Sequence, residues 1–228
     1  MSNIARTLAA TSLLLALAAP LADAAELRAF DATYRASYNN MAADASMSLK
    51  SNGQSRWTYT MNVQNALVRL TRSAEVDAAG ERLRPLSNRE DLNLVVKRRS
   101  KQGRYDWTSR QARWSGDVKA DRQGPIALQA GDVDGMTLNL AIVQDTLANR
   151  PLRYRLIENG KASTLSFNVA GRENLTVAGK STPTIRVVSN NGDTTRTLWI
   201  AEGIPMPVRI QQREDDGDTI DLSLQSIR

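Results

Sequence analysis

From Phe30 onward apolar and polar residues alternate with a period of two, and this alternation constrains the fold more than any other feature of the chain. Phe30, Ala32, Tyr34, Ala36 and Tyr38 alternate with Asp31, Thr33, Arg35 and Ser37. Ala43, Ala45, Met47 and Leu49 repeat the pattern, as do Trp57, Tyr59, Met61 and Val63 after a turn expected at Asn52-Gly53. Side chains on a strand point alternately to its two faces, so each run predicts a strand buried on one side. Further runs are 67–76, 86–96, 105–114, 152–157, 164–169, 173–177, 185–189, 195–200, 208–213 and 219–227. Turn residues separate them: Asn159-Gly160 as a type I′ candidate, Asn190-Asn191-Gly192-Asp193, and Asp215-Asp216-Gly217-Asp218. The spacing predicts an antiparallel meander.

One segment keeps a different rhythm. Met136, Leu140, Val143 and Leu147 recur at helical spacing, with Asp134 before them as an N-cap and Pro151 beyond them. This predicts a helix of about 3 to 4 turns. The Met136–Leu147 stripe is expected to pack on the sheet, which leaves Leu138, Ala141 and Ile142 facing away. A helix that is apolar on two faces is covered on both.

Residues 1–24 read as a secretory signal peptide: Arg6, an apolar run from Leu8 to Ala19, Pro20, then Ala22-Asp23-Ala24 as an A-x-A cleavage pattern. The run is about a dozen residues, short of the ~20 that a spanning helix needs. The expected product is a soluble chain, 25–228, that forms one antiparallel β domain in the periplasm or is secreted. Cysteine is absent, so no lipobox or disulfide is available. The lack of histidine as well excludes Ser-His-Asp and Cys-His nucleophiles and thiolate or imidazole metal sites. No cofactor is expected. The net charge of +6 survives removal of the leader, which carries one cation, Arg6, and one acid, Asp23. Outside the cytoplasm that excess points to anionic envelope components rather than to nucleic acid.

The densest charge is Lys97, Arg98, Arg99, Lys101 and Arg104, with Trp107, Arg110, Arg113 and Trp114 just beyond. A basic tip beside aromatics suits anionic head groups, although a solvated hairpin with gatekeeping cations accounts for it more simply. Asp132-Val133-Asp134-Gly135 fails as an EF-hand, because Ala130 and Ala141 would stand at the first and twelfth positions. Glu214–Asp218 is turn chemistry. No carboxylate pair stands out for glycosidase-like work, and aromatics make up only 5% of the chain, too few for a sugar cleft or for the girdles of a membrane barrel.

The most specific pattern lies in the C-terminal third. Leu198-Trp199-Ile200-Ala201 is followed by a turn with Gly203, then Pro205 and Pro207-Val208-Arg209-Ile210. With Tyr105-Asp106-Trp107, Glu75, Gly80 and Pro85, and a helix opening near Asp134, the chain resembles the bacterial exported family catalogued as domain of unknown function 3108. At the helix opening this chain has Asp134-Gly135-Met136-Thr137, a departure from the family's Asp-Pro-Leu-Ser. The resemblance implies a strongly curved antiparallel sheet and periplasmic residence, and it brings no catalytic residues. On residue chemistry alone, Trp199 is a core anchor and the two prolines stiffen a strand connection.

These readings combine into a mainly β fold: one strongly curved antiparallel sheet or partly open barrel of about a dozen strands, with one helix on its concave face. The leading functional expectation is a non-catalytic periplasmic protein that binds a lipid-like or anionic envelope ligand, with Lys97, Arg98, Arg99, Lys101, Arg104, Trp107, Leu138 and Ile142 as candidate contacts. The second is an interaction module for another envelope protein, with a fully packed interior; a hydrolase is third. A cavity of roughly 300 Å³ or more favours the first.

Overall fold

Consecutive left-handed residues close the tight hairpins at Asn39-Asn40 (φ 47° and 66°), Gln54-Ser55 (50° and 62°), Asn159-Gly160 (50° and 67°) and Ala178-Gly179 (49° and 78°). Positive φ at both central positions gives the turn whose twist matches that of its strands. The computed structural model describes residues 27–228, so the expected leader and its cleavage point lie outside the described residues. The strands are β1 (Phe30–Tyr38), β2 (Met41–Gly53), β3 (Arg56–Gln64), β4 (Val68–Asp77), β5 (Arg84–Leu94), β6 (Arg98–Asp106), β7 (Gln111–Gly116), β8 (Ile126–Ala127) and β9 (Asp132–Val133). Helix α1 (Gly135–Leu147) follows. After it come β10 (Arg153–Glu158), β11 (Lys161–Ser166), β12 (Asn168–Val177), β13 (Lys180–Asn191), β14 (Thr194–Ile200), β15 (Arg209–Glu214) and β16 (Thr219–Ile227).

Among the described residues, thirteen strands form one open sheet in the order β12-β13-β14-β15-β16-β1-β2-β3-β4-β5-β6-β7-β8. All of its pairings are antiparallel, so the mainly β expectation holds. A second sheet, β11-β10-β9, has a parallel contact between β9 and β10. Three boundaries differ from the sequence reading. The run 105–114 is the end of β6, a turn and β7, because Asp106 Oδ1 accepts the amides of Thr108 and Ser109 and turns the chain there. The run 164–169 divides between β11 and β12. Asn52-Gly53 stays inside β2, where Gly53 takes φ 80° at a bulge and passes the turn to Gln54-Ser55.

Asp134 caps α1 as expected, its side chain accepting the Thr137 amide at 2.7 Å. The helix faces divide differently from the expectation. Met136 and Leu140 join a cluster that includes Phe30, Tyr34, Met47 and Tyr59. Leu138, Ile142 and also Val143 join Tyr154, Phe167, Val187, Leu198 and Ile200. Leu147 is left 36% exposed. A strongly curved sheet meets the helix on two flanks, so both apolar faces find strands of the same sheet, and β10 covers the second face.

Candidate functional site

Register sets the chemistry of the concave face. One row across neighbouring strands runs Leu198, Ile210, Leu222, Ala36, Ala43. Side by side, the two alanines leave room that larger side chains would fill. The result is a cavity of about 470 Å³ between sheet and helix. Met136, Leu138 and Ile142 of α1 form its floor, Leu156 and Phe167 one side, and Met47, Met61 and Val63 the other. Its mouth lies among hairpin ends, where Tyr38, Met41 and Asn65 are exposed. The candidate residues Leu138 and Ile142 thus serve both core and cavity wall.

A second row turns from apolar to charged along its length: Met47, Met61, Arg72, Glu90, Lys101. Glu90 binds Arg72 at 2.5 Å and Lys101 at 3.0 Å. Burial pushes the Glu90 carboxyl up, but the two cations outweigh it and hold it below the ordinary glutamate value. Facing this row is Glu158, at the end of β10 on the cavity wall. Burial raises its pKa; Arg72 and Lys101 oppose the rise, while Asp134 and Glu90 add to it.

The backbone behind Glu158 is fixed by a polar chain. Asn88 Nδ2 donates to both the Asp134 carboxylate and the Tyr105 hydroxyl, and that hydroxyl donates to the Ile157 carbonyl at 3.0 Å. This explains the Tyr105-Asp106-Trp107 motif structurally: Tyr105 ties β6 to β10, Asp106 caps the turn, and the Trp107 indole donates to the Pro85 carbonyl at 2.7 Å. The guanidinium of Arg84 lies 5.5 Å from the Trp107 ring centroid. Trp199 is a buried anchor, its indole donating to Glu173 under the guanidinium of Arg209. Asp132 pairs with Arg155 rather than a metal, and among the described residues no acidic cluster is arranged to hold an ion.

The five cations part company. Lys97, Arg98 and Arg99 sit at the β5–β6 hairpin tip, Lys101 turns inward to Glu90, and Arg104 lines a polar groove of about 820 Å³ on the outer face. The expected neighbourhood of tip and aromatics is corrected: Trp107 lies just past the far end of β6, nine residues and roughly 30 Å from Arg98. What stands beside the tip cations is aliphatic. Val95 and Val96 are 75% and 93% exposed. Of the large hydrophobic side chains exposed among the described residues, all but Leu147 and Val169 lie along this rim of the sheet: Tyr38, Met41, Leu67, Leu94, Val95, Val96 and Ile220. The signal was present in Leu94-Val95-Val96, three successive apolar residues that no single strand face can bury. Glu158 was equally visible as a charge in phase with Tyr154 and Leu156.

The family profile described as "Protein of unknown function (DUF3108)" matches residues 30–225. The chain belongs to this family. As a DUF3108 protein it carries the Trp199-to-Ile210 and Tyr105-to-Trp107 patterns inside the matched span. No curated protein matches it. Among solved structures it is similar to the complex of Pseudomonas aeruginosa MucA/MucB, at 11% identity and TM-score 0.38 over 91% of this chain and 54% of that one. It is also similar to MucB in complex with MucA(peri), at 11% identity and TM-score 0.35 over 88% and 49%. The DUF3108 chain thus spans about half the length of these structures. Among its described residues no helix is long and apolar enough to cross a membrane.

Proposed function

We propose that this protein is a non-catalytic binding protein of the periplasm that takes an apolar, chain-like moiety of an envelope molecule into its concave cavity. The cavity carries the reading. Its volume, about 470 Å³, falls in the range of small-molecule sites, and its wall is mainly apolar, with Arg72 and Glu158 on β4 and β10 and Arg196 and Gln212 on β14 and β15 among its polar groups. The leader-like pattern at residues 1–24 supports the periplasmic assignment. In this reading the β5–β6 tip meets anionic lipid: Val95 and Val96 enter the interface, and Lys97, Arg98 and Arg99 contact phosphates. The acidic turns at Asp193 and at Asp215, Asp216 and Asp218 keep the opposite part of the rim away from that surface.

An envelope protein seated on the rim is the second reading, favoured by the same exposed aliphatic side chains. Native mass spectrometry of the protein purified from its own envelope separates the two. A copurifying lipid-sized mass, displaced by an apolar fluorescent probe, is the expected result. A stoichiometric protein partner with an empty cavity that admits no probe would refute the leading reading.

A further inference from the structure

The polar groups at the cavity wall are unequally provided for. Glu90 has two cations, and Asp134 accepts both the Thr137 amide and the Asn88 side chain. Glu158 has neither a hydrogen bond nor an ion pair among the described residues, although its carboxyl borders the cavity. Its position is built in. A Cβ on Gly135 would fall 2.9 Å and 3.0 Å from the two Glu158 carboxyl oxygens, so the carboxyl rests where any other residue at the first position of α1 would carry its side chain. On the other side, the Tyr105 hydroxyl holds the neighbouring Ile157 carbonyl. Glu158 is half-buried, and a carboxyl partly withdrawn from water with no protein partner gains from a bound group that supplies a donor.

We infer that Glu158 is the head-group contact of the cavity, and that the ligand is an amphiphile whose apolar chain ends in a hydrogen-bond donor, an ammonium or a hydroxyl. This rests on the cavity being a ligand site. Arg72 and Lys101 are already engaged by Glu90, and Arg196, the other arginine lining the cavity, stands on β14 and donates to Gln212, so an anionic head group seated beside Glu158 would meet a carboxylate with no unengaged cation on that wall. The site therefore selects against a fatty carboxylate and for its amine or alcohol counterpart.

Decylamine, decanol and decanoate differ only in the head group, and their affinities for the intact protein are measured by displacement of an apolar fluorescent probe at neutral pH. The expected order places decanoate at least about tenfold weaker than decylamine, the step that one charge-assisted hydrogen bond supplies. In Glu158→Leu the amine-to-carboxylate ratio collapses toward one while the probe still binds. Glu158→Gln, which keeps the shape, loses the amine preference and retains decanol. Gly135→Ala, which crowds the carboxyl out of its place, reduces the ratio without touching the aliphatic wall. If wild type binds all three equally, or if the ratio survives both Glu158 substitutions, the head-group assignment is wrong and the cavity reading stands. If neither the probe nor any amphiphile enters wild type, the cavity reading fails and takes this inference with it.

Discussion

Replacing Ala43 with leucine tests whether the cavity is usable space. Ala43 lies in register with Ala36, and both line the void. The substitution adds three carbons, each worth about 0.8 kcal/mol when buried. Fixing the leucine side chain costs roughly 0.5 to 1 kcal/mol. The net expectation is stabilisation by about 1.5 kcal/mol, which for an m-value of about 2 kcal/mol/M raises the urea midpoint by about 0.7 M. The same leucine occupies volume that a ligand needs, so affinity for an apolar probe should fall by more than tenfold as stability rises. In a well-packed wall the sign reverses, because extra methylenes there cost about 1 to 3 kcal/mol. A lower midpoint at unchanged m-value, with probe binding intact, would show that the space is not where the register places it.

Three other outcomes follow from the same contacts. Asp145, 2% exposed, is paired with Arg82 at 2.9 Å and Arg150 at 2.6 Å and accepts the Tyr154 hydroxyl at 2.9 Å. Asp145→Ala should cost about 3 kcal/mol in urea unfolding, whereas Arg82→Ala, on the half-exposed partner, should cost less than about 1 kcal/mol; equal losses would contradict the network. Glu158 has a raised folded pKa, so the folded state holds its proton to higher pH than the unfolded chain does. Its destabilising effect is absent below about pH 4 and grows as pH rises through the folded value. The stability gained by Glu158→Gln should therefore be absent below the unfolded value, grow as pH rises to the folded value and level off above it, and a gain independent of pH refutes the assignment. Neutralising Lys97, Arg98 and Arg99 removes up to roughly 1 kcal/mol of attraction per charge. Cosedimentation with phosphatidylglycerol vesicles at low salt should drop sharply, and Val95→Ser with Val96→Ser should lower it further; unchanged sedimentation in both variants leaves the tip a solvated hairpin.

The meander was legible because period-two alternation and turn residues are local signals, and the α1 cap at Asp134 was read for the same reason. What escaped was everything decided by register. Ala36 and Ala43 form a gap only because β1 and β2 pair them, and Arg72 meets Glu90 and Lys101 only across three strands. The two-faced helix was correctly seen to need cover on both sides, but curvature, which no window of sequence reports, brought the cover from the same sheet. Strands of two residues, such as β8 and β9, are too short to show a period at all.

The order of the large sheet ends at β12 and β8, and among the described residues no strand pairing joins the two. In a closed barrel the ring of hydrogen bonds fixes the circumference, and the interior has a set bore. Here the circumference is a free coordinate. Small changes in twist summed over many strands alter the width of the cup without breaking a ladder, while α1, anchored in both apolar clusters, acts as the strut that limits the range. On the binding proposal, guests of different girth would be admitted by bending the wall rather than by opening a gate. The unpaired outer edge this requires is blunted by the bulge at Gly171 and the charges of Arg172 and Glu173 on β12, which deny a neighbouring chain a flat strand to extend.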